Sequence, residues 1–231
     1  MTIDWLNLLL AVVLLWLPRQ WLRLGSNVIE LPRRSRRRSH RDTNPAIARD
    51  ASDASVSFRA EIGKLRNFVD FFRAALGGVL LLGTLPGREP AFHVVEGAAM
   101  SAVNLAANAP LAILLVGVLL QTFRFETRVT LFPPIFYLSG LTFGLCGIYP
   151  AVFAMVLVWA VNFALPTPAG FLAVYALLVT TFGLLFQRLD NKLPFVAAGL
   201  LFLPVLLSLL TRRRLVLLTK RVKASSSGLA T

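Results

Sequence analysis

The chain has 231 residues, of which 56% are hydrophobic and only 15% charged, with a mean hydropathy of +0.70. An ordinary soluble domain carries about 25% charged residues, so this composition argues for a chain solvated by lipid. The formal net charge of +13 raises nucleic acid as a partner, but the basic residues gather at the ends of apolar runs, the pattern of membrane proteins, and no nucleic acid is expected.

Residues 1–24 open with an apolar stretch, Ile3 to Leu17, bordered by Trp5, Trp16 and Trp21. Tryptophan suits the membrane interface, so this is a first span or, alternatively, an in-plane anchor helix. Asp4 stands where a signal peptide would carry a basic residue, and no small-x-small site follows.

Residues 25–57 form a basic linker around Arg33, Arg34, Arg36, Arg37, Arg38 and Arg41. Beside a membrane such a run attracts anionic lipid, each charge contributing about 1 kcal/mol near the surface. No aromatic residue is interleaved to stack on bases.

Residues 58–210 read as the transmembrane bundle. Phe58, Ile62, Leu65, Val69 and Phe72 recur at helical spacing, which predicts an amphipathic helix on the cytoplasmic surface. It turns into a span near Phe68, and Asp70 and Arg73, three apart, can pair at the boundary. A polar loop, Pro86 to Gly97, leads to a span over Ala98 to Phe123. From Val129 to Gln187, fifty-nine residues pass without Asp, Glu, Lys, Arg or His. A crossing takes about 20 apolar residues, so this run holds three spans, with hinges near Tyr149-Pro150 and at Pro166-Thr167-Pro168. Leu193 to Leu210 is the last span. The tail, residues 211–231, is basic through Arg212, Arg213 and Arg214.

The fold expected is therefore all-α, a polytopic bundle of six or seven spans with a cytoplasmic amphipathic surface helix. With seven crossings and the N-terminus outside, 21 of the 24 Lys and Arg residues fall on the cytoplasmic side, with the C-terminus. The positive-inside rule fixes that orientation. The partners implied are the bilayer, anionic lipids and other membrane proteins.

Candidate chemistry is sparse. Cys146 is the single cysteine, which excludes an intrachain disulfide and a cysteine-based metal site. His93 and Glu96, three apart, share a face only on a helix, and two ligands do not make a metal site. No cofactor, metal or catalytic residue is assigned. Ser139-Gly140, followed by Phe143-Gly144-Leu145 and Gly147, resembles the serine-bearing helix of rhomboid intramembrane proteases over about ten residues. The resemblance implies a nucleophilic Ser139. The sequence departs from that family in having Tyr137 two before the serine, no histidine after His93, and room for one span between His93 and Ser139. Without a base a serine is not activated, so Gly140-x-x-x-Gly144 reads instead as a close helix contact.

The third span is the most informative. Ala98, Ala102 and Ala106 make a smooth ridge, and Ser101, Asn104 and Asn108 form a polar stripe beside it. Asparagines are costly against lipid, so the stripe is expected to face protein or water. Thr142, Thr180 and Thr181 lie at similar depth and could complete a cluster. The stripe is then either interhelical glue or the lining of a polar pocket. The first function expected is a non-enzymatic membrane subunit or scaffold docking partners or anionic lipid through its basic segments. The alternative is a small-solute or lipid transport component, and an intramembrane protease ranks last.

Overall fold

A computed structural model describes residues 1–18, 65–125, 129–165, 167–187, 191–212 and 215. The arginine-rich linker and the tail beyond Leu215 lie outside the described residues.

The described chain is mostly helical. Its elements are β1 (Thr2–Ile3), α1 (Trp5–Trp16), α2 (Leu65–Leu82), β2 (Phe92–His93), α3 (Met100–Thr122), β3 (Phe123–Phe125), β4 (Val129–Leu131), α4 (Ile135–Cys146), α5 (Ile148–Ala160), a 3-10 turn (Asn162–Ala164), α6 (Pro168–Phe186) and α7 (Leu193–Thr211). Three of the helices, α3, α6 and α7, are long and apolar enough to cross a membrane, while α1, α4 and α5 are apolar but shorter. The strands are two short antiparallel pairs, β1 with β2 and β3 with β4.

Successive helices alternate in direction, and contacts at the two ends of the bundle establish this. At one end, Asp4 N–H donates to Ala91 O at 3.0 Å, Thr84 Oγ1 donates to Gly144 O at 2.6 Å, and Gln187 Nε2 donates to Cys146 O. Tyr149 at the start of α5 stacks on Phe186 at the end of α6. At the opposite end, Gln121 reaches Leu17 O, Leu131 bridges to Leu215, and Trp159 packs between Phe136 and Phe171. We call these the first and second ends. Helix α1 thus runs lengthwise, from the strand partner of β2 to the end of α3, and is packed into the bundle along Ala11 and Leu15.

Helix starts follow local chemistry. Asp4 caps α1, its Oδ1 accepting from Leu6 and Asn7 N–H at 3.1 Å, and Thr167 Oγ1 caps α6 by accepting from Gly170 N–H at 3.1 Å. A helix therefore starts at Thr167-Pro168, within the stretch where a hinge is expected, while Pro166 lies outside the described residues. The hinge expected at Tyr149-Pro150 falls instead at Gly147, whose φ of 77° is favourable for glycine and which ends α4 and starts α5. Pro150 sits inside the first turn of α5, where its missing N–H breaks no helical bond.

Val129 does not begin a span. Val129–Leu131 is a strand paired with Phe123–Phe125, and α4 starts only after Pro133-Pro134. Helix α3 runs unbroken through Pro110.

The largest departure is α2. A separate surface helix turning near Phe68 was expected. Residues 58–64 lie outside the described residues, but from Leu65 the helix passes Phe68 without a break. Its apolar stripe faces outward: Leu65 is 78% exposed and Phe72 58%, with Phe68, Val69 and Leu76 also exposed. The opposite face, Asn67, Asp70, Arg73, Ala74, Gly77 and Gly78, is buried. Helical periodicity separates two faces but does not say which solvent surrounds them; here the polar face is the one turned inward.

Candidate functional site

Two polar arrangements stand out. The first is built where α1 ends. Leu17 N–H donates to Val13 O at 3.1 Å, and the carbonyls that follow Val13 have no donor within the helix. Three other helices supply donors. Arg73 of α2 donates from Nη1 to Leu14 O at 3.2 Å and to Leu17 O. Gln121 of α3 donates to Leu17 O at 2.9 Å, with Leu15 O at 3.4 Å. Tyr137 of α4 donates its hydroxyl to Leu15 O at 3.0 Å. The Arg73 guanidinium also lies 5.2 Å from the centre of the Tyr137 ring.

Asp70 fixes the arginine. Arg73 Nε donates to Asp70 Oδ1 at 3.0 Å, and Nη2 lies 2.9 Å from the same oxygen. The pairing expected from their spacing is therefore present, but not at an open boundary: Asp70 is 2% exposed and Arg73 5%. A cation at a helix C-terminus is favoured by the helix dipole, and burial strengthens that attraction. Chemically this cluster is a clamp that holds α1 against α2, α3 and α4.

The sequence reading missed Gln121 and Tyr137 as members of the clamp. A signal for Gln121 existed, since it continues the spacing of Leu114 and Gly117 along the buried face of α3.

The second arrangement is the stripe on α3. Ser101, Asn104 and Asn108 are all exposed. Asn108 Nδ2 donates to Asn104 O at 2.8 Å within its own helix. The structure does not bring them together with the threonines. Thr142 is buried, donating to Ser139 O at 2.7 Å and lying 3.0 Å from the Tyr175 hydroxyl. Thr180 donates to Ala176 O and Thr181 to Leu177 O, both at 3.0 Å, on α6. Every buried residue of α3 lies in its second half, from Pro110 onward, while in Met100–Ala109 only Ala102, Ala106 and Ala109 are partly covered.

Ser139 is 2% exposed and donates its hydroxyl to Ile135 O at 2.9 Å, one helical turn back. His93 is on β2 near the first end, 3.5 Å from Glu89 rather than beside Glu96. The extended backbone there removes the helical face that would have paired His93 with Glu96. Gly140 and Gly144 do mediate a close helix approach. A Cβ on Gly140 would lie 2.1 Å from Phe71 O, and one on Gly144 would lie 2.8 Å from Ala75 O. No group of three or more His, Cys, Asp or Glu able to hold a metal ion occurs among the described residues. Of the basic residues expected at lipid headgroups, Arg212 is exposed at the end of α7, and the others lie outside the described residues.

Compared with models of known families, with curated proteins and with solved structures, the chain matches none of them.

Proposed function

We propose that this is a seven-crossing membrane protein that acts as a non-enzymatic membrane subunit or scaffold. Its basic cytoplasmic face docks anionic lipid and partner proteins. The observation that carries the reading is where the charge sits on the bundle. The connections that leave from its second end, together with the first half of α2 and the tail, hold 21 of the 24 Lys and Arg residues. A bundle with one strongly basic end is oriented by that end and held against an anionic leaflet.

The outward apolar face of α2 supports the bilayer part of the reading. Exposing Leu65, Phe68, Val69, Phe72 and Leu76 while burying Asp70 and Arg73 is doubly unfavourable in water and natural in lipid. The lengthwise course of α1 favours seven crossings over six and an in-plane anchor. The transport alternative finds no support in the α3 stripe, which is not gathered into a pocket with Thr142, Thr180 and Thr181.

Lipid copurification tests the docking role. Protein extracted gently from a mixed bilayer should carry an excess of anionic lipid. A variant with Arg33, Arg34, Arg36, Arg37, Arg38 and Arg41 replaced by glutamine should lose most of that excess. Raising salt should shrink it in the parent protein, because exposed charges are screened within about 10 Å at 0.1 M. Equal lipid content in parent and variant would contradict the role assigned to the arginines.

A further inference from the structure

We propose that the first half of α3 is the contact between two copies of this chain, paired about a two-fold axis along the membrane normal. The inference rests on the membrane reading above and names a partner for a face that the described helices leave exposed.

At about 100° per residue, Ser101, Asn104 and Asn108 fall within roughly 60° of one another. The face that α3 buries is centred on Pro110, Leu114, Gly117, Val118 and Gln121, with Thr122 at its edge. The centre of the polar stripe lies roughly 130° around the helix from that face. The stripe therefore points away from the bundle. Ala112 and Leu115, both exposed, continue it toward the second end.

Hydrocarbon offers a carboxamide neither donor nor acceptor, and Asn104 makes no side-chain hydrogen bond to any described residue. Something that hydrogen-bonds must cover it. An asparagine amide has two donors and an acceptor oxygen, so it is complementary to another asparagine amide. Two copies inserted with the same orientation place each residue opposite its own equivalent at the same depth. Asn104 then meets Asn104, with Asn108 one turn further on. Ser101 and Ala112, small and exposed on the same face, allow the two backbones to come close.

The test uses full-length protein in membranes, with Cys146→Ser and one cysteine introduced at a time. Under mild oxidation Asn104→Cys should form a disulfide-linked dimer at least fivefold more readily than Val103→Cys, which is exposed but about 100° away. A disulfide requires the two Cα atoms to lie within about 7 Å, so the result reads geometry rather than collision. In single-molecule photobleaching, Asn104→Leu with Asn108→Leu should weaken association about tenfold, for two interhelical bonds of ordinary strength. Its unfolding temperature as a monomer in detergent should change little, since among the described residues the stripe's one side-chain hydrogen bond runs within α3, from Asn108 to Asn104 O.

Equal cross-linking at 103 and 104, cross-linking only to a different protein, or unchanged association of the leucine variant would overturn the pairing. Alkaline carbonate extraction separates this from the membrane reading. A chain that stays in the membrane without cross-linking overturns only the dimer, and one that is stripped into solution overturns the membrane reading itself.

Discussion

Replacing Arg73 by methionine should destabilise the fold by about 3–5 kcal/mol, the usual cost of breaking a buried ion pair by removing one partner. The loss has two sources. Buried Asp70 loses the ion pair that Arg73 supplies, and the carbonyls of Leu14 and Leu17 lose the donors that Arg73 supplies across 56 to 59 residues of sequence. The double change Arg73→Met with Asp70→Leu should cost clearly less than the sum of the single changes, because the two single changes each remove the same ion pair. Denaturant titration in detergent measures all three. A loss below about 1 kcal/mol for Arg73→Met would show that the clamp contributes no more than an exposed pair. The parent protein should also protect a cysteine placed at Leu15 from thiol reagents, and the Arg73 variant should expose it as α1 detaches.

The second large effect is expected at Gly140. An alanine there would place Cβ 2.1 Å from the carbonyl oxygen of Phe71 and 3.0 Å from Ala74 Cβ. The nearest obstacle is backbone, which no side-chain rotation relieves, so α2 and α4 must separate. Overpacking of a tight contact costs about 1–3 kcal/mol, and this site should lie at the upper end. Gly199 provides the control. Nothing lies within 4 Å of a Cβ built there, and it sits inside α7. Gly199→Ala should be neutral or should stabilise by up to about 1 kcal/mol through helix propensity. If Gly140→Ala and Gly199→Ala behave alike in thermal unfolding, the close approach of α2 and α4 is not what holds them together.

These two sites also show what was legible in the sequence. The Gly140-x-x-x-Gly144 contact and the Asp70–Arg73 pair followed from helical spacing, which is a local property. The partners of Arg73 were not legible, because Leu14, Leu17, Gln121 and Tyr137 come from three other helices and no spacing links them. The inward-turned polar face of α2 has a different cause. Leu65, Val69 and Phe72 mark an apolar side correctly, but an apolar side turns inward in water and outward in lipid.

Short elements were missed for want of signal. Phe123–Phe125 and Val129–Leu131 are three residues each, too brief for an alternating pattern to stand out from the apolar run that follows. The α3 stripe was visible as a stripe, but its direction depends on which neighbours α3 has. Those neighbours fully bury residues only from Pro110 onward.

The proposed orientation puts the basic end of the bundle in the cytoplasm, and single-cysteine labelling tests it most directly. In a Cys146→Ser background, Glu96→Cys in the α2–α3 connection and Ser226→Cys in the tail are treated in intact cells with an impermeant thiol reagent. The account predicts that position 96 is labelled from outside and position 226 only after the membrane is opened. Labelling of position 226 in sealed cells, or protection of position 96, would contradict it.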